Sequence, residues 1–261
     1  MSTTNKQGEI RLTVRDRIAT IEFFHPANNS LPGKLLSDLA NAIRTAGEDP
    51  AAGVLVLRSA GDRTFCAGAS ITELAEIGDV AAGKRFFLGF ARVINAMRTS
   101  PKIILARVQG KAVGGGVGLA AAADHCLATR WASIRLSELA LGIGPFVIGP
   151  AVTRKMGVSA YSQLALDANN WQSAEWACTR GLYAGVYETV EEMDQALDGL
   201  ARTLAGYPPE ALQQLKQVCW EGTEHWERLL DERAAISGEL VRSPFTREAI
   251  ASFRSKSRTD T

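Results

Sequence analysis

The run Gly114-Gly115-Gly116-Val117-Gly118 constrains this chain more than any other feature. Three adjacent glycines are costly in backbone entropy. They persist where the backbone must approach something closely or adopt angles a side chain forbids. The residues that follow, Leu119 to Ala123, are small, apolar and helix-forming. The glycines therefore stand at a helix start, where unpaired N–H groups and the positive end of the helix dipole can meet a negative oxygen.

Three readings of this loop are open. It can serve tight helix–strand packing alone. It can be a dinucleotide fingerprint, since Gly116-x-Gly118-x-x-Ala121 fits the loose G-x-G-x-x-G/A form with Glu138 twenty residues on, the mark of an NAD-binding oxidoreductase. It can be half of an oxyanion hole, which needs two N–H donors aimed at one point from different segments. A second segment of the same kind, Cys66-Ala67-Gly68-Ala69-Ser70, also precedes a helix, because Ser70-Ile71-Thr72-Glu73 is a capping-box pattern. The recurrence favours the oxyanion hole.

Glu138 supplies the matching acid. In Ser133 to Glu138 the apolar residues Ile134 and Leu136 share parity with Glu138, so a strand here turns the carboxylate inward. A buried carboxyl without a partner has a raised pKa, which suits proton transfer near neutral pH. Glu73 and Glu76 read as solvated or capping residues. The histidines 25, 125 and 225 are scattered, and the tryptophans 171, 176, 220 and 226 read as core or subunit contacts. Phe86, Phe87, Trp131 and Phe146 are candidates for a substrate-pocket floor.

Along the chain, Ile10 to Val14 and Ile18 to Phe23 alternate as strands around a turn at Arg15-Asp16. His25 to Pro32 is a loop, Leu35 to Ala46 an amphipathic helix, and Val54 to Leu57 a buried strand. Phe86 to Met97 predicts a helix; Ile103 to Val108, His125 to Thr129 and Ser133 to Glu138 predict strands. From Ser173 onward the pattern is helical: Ala174 to Gly181, Val190 to Leu204, Pro209 to Trp220, His225 to Leu240 and Arg247 to Arg254. An α/β core over 1–200 with a helical part over 201–261 packed on it is expected.

The remaining composition excludes several classes. The net charge of +1 gives no global field for nucleic acid. Segment 1–9 is polar and lacks an apolar signal core, and the low-charge stretch Leu136 to Val152 is broken by Glu138, glycines and prolines, so no membrane span is expected. The cysteines at 66, 126, 178 and 219 are far apart and show no metal spacing, as in a reduced cytoplasmic protein.

These motifs together resemble the crotonase superfamily, the enoyl-CoA hydratase/isomerase family, from about Ile10 to Phe253. Phe65-Cys66-Ala67-Gly68-Ala69-Ser70 is similar to its first oxyanion segment, Lys111 to Leu119 to its second, His25 to Leu31 to its loop near the CoA adenine, and Leu136 to Pro150 to the segment carrying a catalytic glutamate. The resemblance implies a spiral of ββα units with C-terminal helices building a homotrimer or a dimer of trimers. It implies an acyl-CoA thioester substrate, with coenzyme A as part of the substrate and no separate cofactor or metal. It makes Glu138 the acid/base, places the thioester oxygen between the N–H groups of Ala67 and Gly115, and lines the substrate with Gly68, Ala69, Ser70 and Gly116. A family member without turnover, kept for CoA binding or assembly, is the alternative. Two positions depart from the pattern. Ser70 replaces an aspartate but still caps. Gly118 stands where two-glutamate hydratases carry the second carboxylate; a single base fits isomerisation directly, and hydration stays open if Glu138 serves both the water and the α-carbon, as in single-glutamate lyases of the family.

Overall fold

Two parallel sheets share the labour of the fold, one building the core and the other presenting the loops. The computed structural model describes residues 8–259; most of the segment expected to be polar and without a signal core lies outside them. The chain runs β1 (Glu9–Arg15), β2 (Ile18–Phe24), α1 (Gly33–Glu48), β3 (Val54–Ser59), β4 (Thr64–Cys66), α2 (Ile71–Glu76), α3 (Val80–Thr99), β5 (Ile103–Val108), β6 (Lys111–Val113) and α4 (Gly115–Ala122). It continues through β7 (His125–Thr129), β8 (Ile134–Arg135), a 3-10 turn (Leu139–Leu141), α5 (Gly149–Leu166), α6 (Ala174–Thr179), β9 (Gly185–Tyr187), α7 (Val190–Ala205), α8 (Pro209–Cys219), α9 (Trp226–Leu240) and α10 (Pro244–Thr259).

The larger sheet has the order β1-β2-β3-β5-β7-β9, parallel except for the β1–β2 hairpin. The smaller one is the parallel set β4-β6-β8. Three successive strand pairs, β3/β4, β5/β6 and β7/β8, each give one strand to each sheet before the chain turns into a helix. This is the expected ββα spiral.

Strand parity explains the two sides of the large sheet. Leu55, Leu57, Ile104, Ala106 and Val108 join the main core with α1, α3 and α4. Their neighbours Val54, Val56, Ile103 and Leu105 bury against Met193 and Leu197 of α7 and Leu212 of α8. With both faces covered, the strands read as continuous apolar runs. The expected division at residue 200 falls inside α7, and residues of α7 and α8 share one apolar cluster against the large sheet.

The C-terminal helices are fastened by polar as well as apolar contacts. Lys216 on α8 is buried, and its Nζ donates to the carbonyls of Met97 and Lys102 and lies 2.9 Å from Asp124 Oδ2. Asp124 also accepts from the Ile104 N–H at 2.8 Å and from Trp220 Nε1 at 2.7 Å. α9 crosses α3 where two glycines meet: a Cβ on Gly83 would lie 2.8 Å from Gly238 Cα.

Several elements differ from expectation. The hairpin turn sits at Asp16-Arg17, both with positive φ, one residue later than predicted. α5 has no counterpart in the sequence reading, because Pro150 and a break at Gly157 (φ 81°) interrupt its pattern. The strand expected over Ser133 to Glu138 is hydrogen-bonded only at Ile134–Arg135. The alternation nevertheless runs on: Leu136 is buried between half-buried Arg135 and Ser137, and Glu138 is αR (φ −61°, ψ −41°) as the 3-10 turn begins. Among the described residues no helix is long and apolar enough to cross a membrane.

Candidate active site

Each strand of the small sheet ends in one segment of the candidate site. Residues 67–70 follow β4, Gly114 and Gly115 follow β6, and Glu138 follows β8. The carboxyl ends of parallel strands are where open α/β sheets place their ligands. Here the three ends open on one cleft lined by Ala67, Gly68, Ala69, Gly114, Gly115 and Glu138, with Phe87, Phe90, Phe146 and Ile148 as apolar walls.

The first segment is held by the loop before α1. Asn29 is buried; its Nδ2 donates to the carbonyls of Ala60 and Thr64, and its Oδ1 accepts from the His25 N–H at 3.0 Å. The Ala67 N–H donates to the Asn28 carbonyl at 3.1 Å, and the Leu31 N–H donates to the Gly68 carbonyl at 2.8 Å. This corrects one expectation. The Ala67 donor is already committed, so it does not serve an oxyanion. Ala69 pairs with Leu31 as a parallel bridge. In an extended segment neighbouring N–H groups point to opposite sides. The Ala69 N–H thus points away from Leu31, and it has no hydrogen-bond partner among the described residues.

The second segment explains its own glycines. Gly114 has φ 52° and ψ −115°, a conformation a side chain resists, and its N–H donates to the Arg135 carbonyl at 2.9 Å. A Cβ on Gly115 would lie 2.1 Å from Phe90 Cε1, and one on Gly116 would lie 2.5 Å from the Cys66 carbonyl oxygen. The Gly115 nitrogen lies 3.3 Å from where a Cβ on Gly68 would stand, so the two loops are packed together. Gly115 opens α4 and its N–H has no acceptor among the described residues. Gly116 and Ser70, expected at the substrate, do not line the cleft. Gly116 is sealed under Cys66, and Ser70 caps α2 by accepting from the Glu73 N–H at 3.3 Å. The capping box is only half present, since the Glu73 carboxylate accepts instead from the Gly33 N–H at 2.7 Å and caps α1.

Among the described residues, Glu138 is the one acidic side chain that lines the cleft. The residue as a whole is half-buried, but its Oε2 is fully buried and has no hydrogen-bond partner among the described residues. Burial pushes its pKa up from 4.5 to about 7, held back in part by its own N–H and by Arg135. The Arg135 guanidinium lies 4.7 Å from the Trp171 ring centroid instead of pairing with a carboxylate. Glu138 therefore stands poised between its protonated and ionised forms near neutral pH.

Gly118 sits inside α4, away from the cleft. A Cβ there would come 2.4 Å from Ile148 Cγ2, and Ile148 is what faces the cleft instead. The dinucleotide reading fails on the same geometry, because the Glu138 carboxylate packs on the glycine loop itself: a Cβ on Gly114 would lie 2.7 Å from its Oε1. Of the candidate floor residues, Phe87 and Phe146 line the cleft. Phe86 packs in the core against Phe87 and Phe90, and Trp131 is 66% exposed elsewhere. Sequence reasoning missed Phe90 and Ile148, whose only signal is that glycines stand opposite them.

Comparison with known proteins agrees with this geometry. The structure superposes on an enoyl-CoA hydratase from Bacillus halodurans with a TM-score of 0.85 at 20% identity, covering 93% of this chain and 99% of that one. An enoyl-CoA hydratase from Mycobacterium avium superposes with a TM-score of 0.80 at 26% identity, over 95% and 96% of the two chains. The architecture is thus the crotonase-type α/β spiral. A family model described as enoyl-CoA hydratase/isomerase matches residues 13–258, and the chain belongs to that family of enzymes. Among characterised relatives, it is 27% identical to the short-chain-enoyl-CoA hydratase of Clostridium acetobutylicum over 252 residues, 95% of each chain. It is 29% identical to the carnitinyl-CoA dehydratase of Proteus mirabilis over 220 residues, 80% of this chain and 79% of that one.

Proposed function

We propose that this enzyme forms a thioester enolate from an enoyl-CoA, with Glu138 as its single proton-transfer group. One observation carries the reading: a carboxyl whose Oε2 is buried without a partner and two backbone N–H groups, of Ala69 and Gly115, uncommitted among the described residues, border one apolar cleft. The two N–H groups would donate to the thioester oxygen, each contributing about 3 kcal/mol to the charged intermediate. Glu138 takes the α-proton as the C–H bond breaks, and the electron pair moves onto the oxygen. Returning the proton at the γ-carbon moves the double bond into conjugation with no change in composition. The hydrocarbon of Ile148, where a second carboxylate would stand, favours this isomerisation over the addition of water.

Incubation with vinylacetyl-CoA and crotonyl-CoA, with products resolved by mass and retention, tests the reading. Conversion of the first to crotonyl-CoA, abolished in Glu138→Gln, is expected. If Glu138→Gln retains full activity on either thioester, the role assigned to Glu138 is wrong. The four cysteines are free thiols, in keeping with a cytoplasmic location. Exposed apolar side chains such as Val158, Leu166, Val218 and Phe245 suit a homotrimer or a dimer of trimers, which light scattering would measure.

A further inference from the structure

The apolar chamber beside Glu138 is small. It holds about 70 Å³, and a single water needs roughly 10–15 Å³ on the same measure. That is room for a short acyl group and little more. A larger groove of about 640 Å³, open to solvent, lies next to it, bordered by Arg154, Tyr161, Glu221, Trp226, Leu229 and Arg233. Phe146 is the one residue that lines both spaces.

Phe146 is held in this position by its own segment. Its ring packs on Gly144, where a Cβ would lie 2.2 Å from Phe146 Cζ. The neighbouring Pro145 carbonyl accepts a hydrogen bond from the Tyr161 hydroxyl at 3.2 Å, tying the segment to α5. The partition is therefore a braced aromatic ring, not a loop tip.

We infer that Phe146 is the specificity-determining residue for acyl length: it ends the chamber after a short acyl group and separates it from an open groove that would otherwise take a longer tail. The inference rests on the acyl-CoA reading above, and concerns which thioesters bind. It adds no step to the chemistry. The groove is lined by Tyr161, Trp226 and Leu229 beside the charged Arg154, Glu221 and Arg233, so removing the ring joins the chamber to a space with hydrocarbon of its own to offer methylene groups.

Calorimetric titration with saturated butyryl-CoA and octanoyl-CoA separates this inference from the proposed reaction, because neither thioester needs to turn over. The parent enzyme is expected to bind butyryl-CoA about tenfold more tightly than octanoyl-CoA. Phe146→Ala is expected to bring the two within about threefold, mainly by gaining octanoyl-CoA. Phe146→Leu keeps an apolar stopper of smaller volume and should fall between them, so a poorly folded alanine variant does not end the test. Equal affinity of the parent for both thioesters, or an unchanged preference in a folded variant, overturns the inference. Preference for the short chain without turnover of any enoyl thioester would leave the length gauge standing and remove the proposed reaction.

Discussion

The Glu138 carboxylate lies directly on the backbone of Gly114, close enough that a methyl group at 114 would stand 2.7 Å from Oε1. Gly114→Ala therefore strikes the carboxyl proposed as the acid/base and also forces a side chain onto a backbone with φ 52°. Turnover should fall by at least about a hundredfold, with a loss of stability of roughly 1–3 kcal/mol. Steady-state kinetics alongside thermal melts measure both. A variant with parental kcat would show that Glu138 does not work from this position.

The pH dependence follows from the raised pKa of Glu138. A carboxyl whose folded-state pKa is about 7 against an ordinary 4.5 keeps its proton in the native state over that interval. It therefore weakens folding progressively as pH rises through the interval, and the penalty is complete above about pH 7. Glu138→Gln should be more stable than the parent at pH 8 by up to about 3 kcal/mol, and no more stable near pH 4. Exchange of the substrate α-proton into heavy water should rise with pH through a midpoint near 7 in the parent only. Denaturant unfolding at the two pH values decides the first point; a constant difference between the proteins across pH contradicts the raised pKa.

Position 118 offers a gain-of-function test. Gly118→Glu alone drives its Cβ against Ile148 and should cost about 1–3 kcal/mol. Combining it with Ile148→Ala opens the space for a second carboxylate. The double variant should hydrate crotonyl-CoA measurably faster than the parent, while the single Ile148→Ala should not. A fully stable Gly118→Glu single variant would mean that Ile148 does not block this position.

Lys216 predicts a stability effect without a catalytic one. Its ammonium is 3% exposed and serves two carbonyls and Asp124. Lys216→Met leaves those carbonyls without a donor and should lower stability by about 3 kcal/mol. KM and kcat of the folded fraction should be unchanged. A melting temperature equal to the parent's would show that α8 is held by its apolar packing on β5 alone.

The site was legible wherever it rested on local pattern. The parity of Ile134, Leu136 and Glu138 foretold an inward carboxyl, although the hydrogen-bonded strand stops at Arg135. The two glycine-bearing helix starts foretold two facing loops. What could not be read depends on partners distant in the chain. Choosing the Ala69 N–H over that of Ala67 requires the bridge to Leu31 and the Asn28 carbonyl, which no spacing within 65–70 reveals. Glu73 looked like half of a capping box and instead caps α1, because the start of that helix is brought beside it by the fold. α5 escaped because Gly157 breaks its periodicity, and Trp131 was misplaced because aromatic character alone does not say which side of a strand end is wet.

The last helix has a consequence for the order in which this enzyme is made. Phe245 and Thr246 of α10 close on Gly142, just past the turn that carries Glu138, within 2.6 Å of where a side chain there would begin. On the ribosome, α4 and Glu138 emerge more than a hundred residues before that contact exists. A nascent chain thus presents Glu138 before α10 exists to close on Gly142, so the turn beside the candidate site gains its last packing partner late in synthesis.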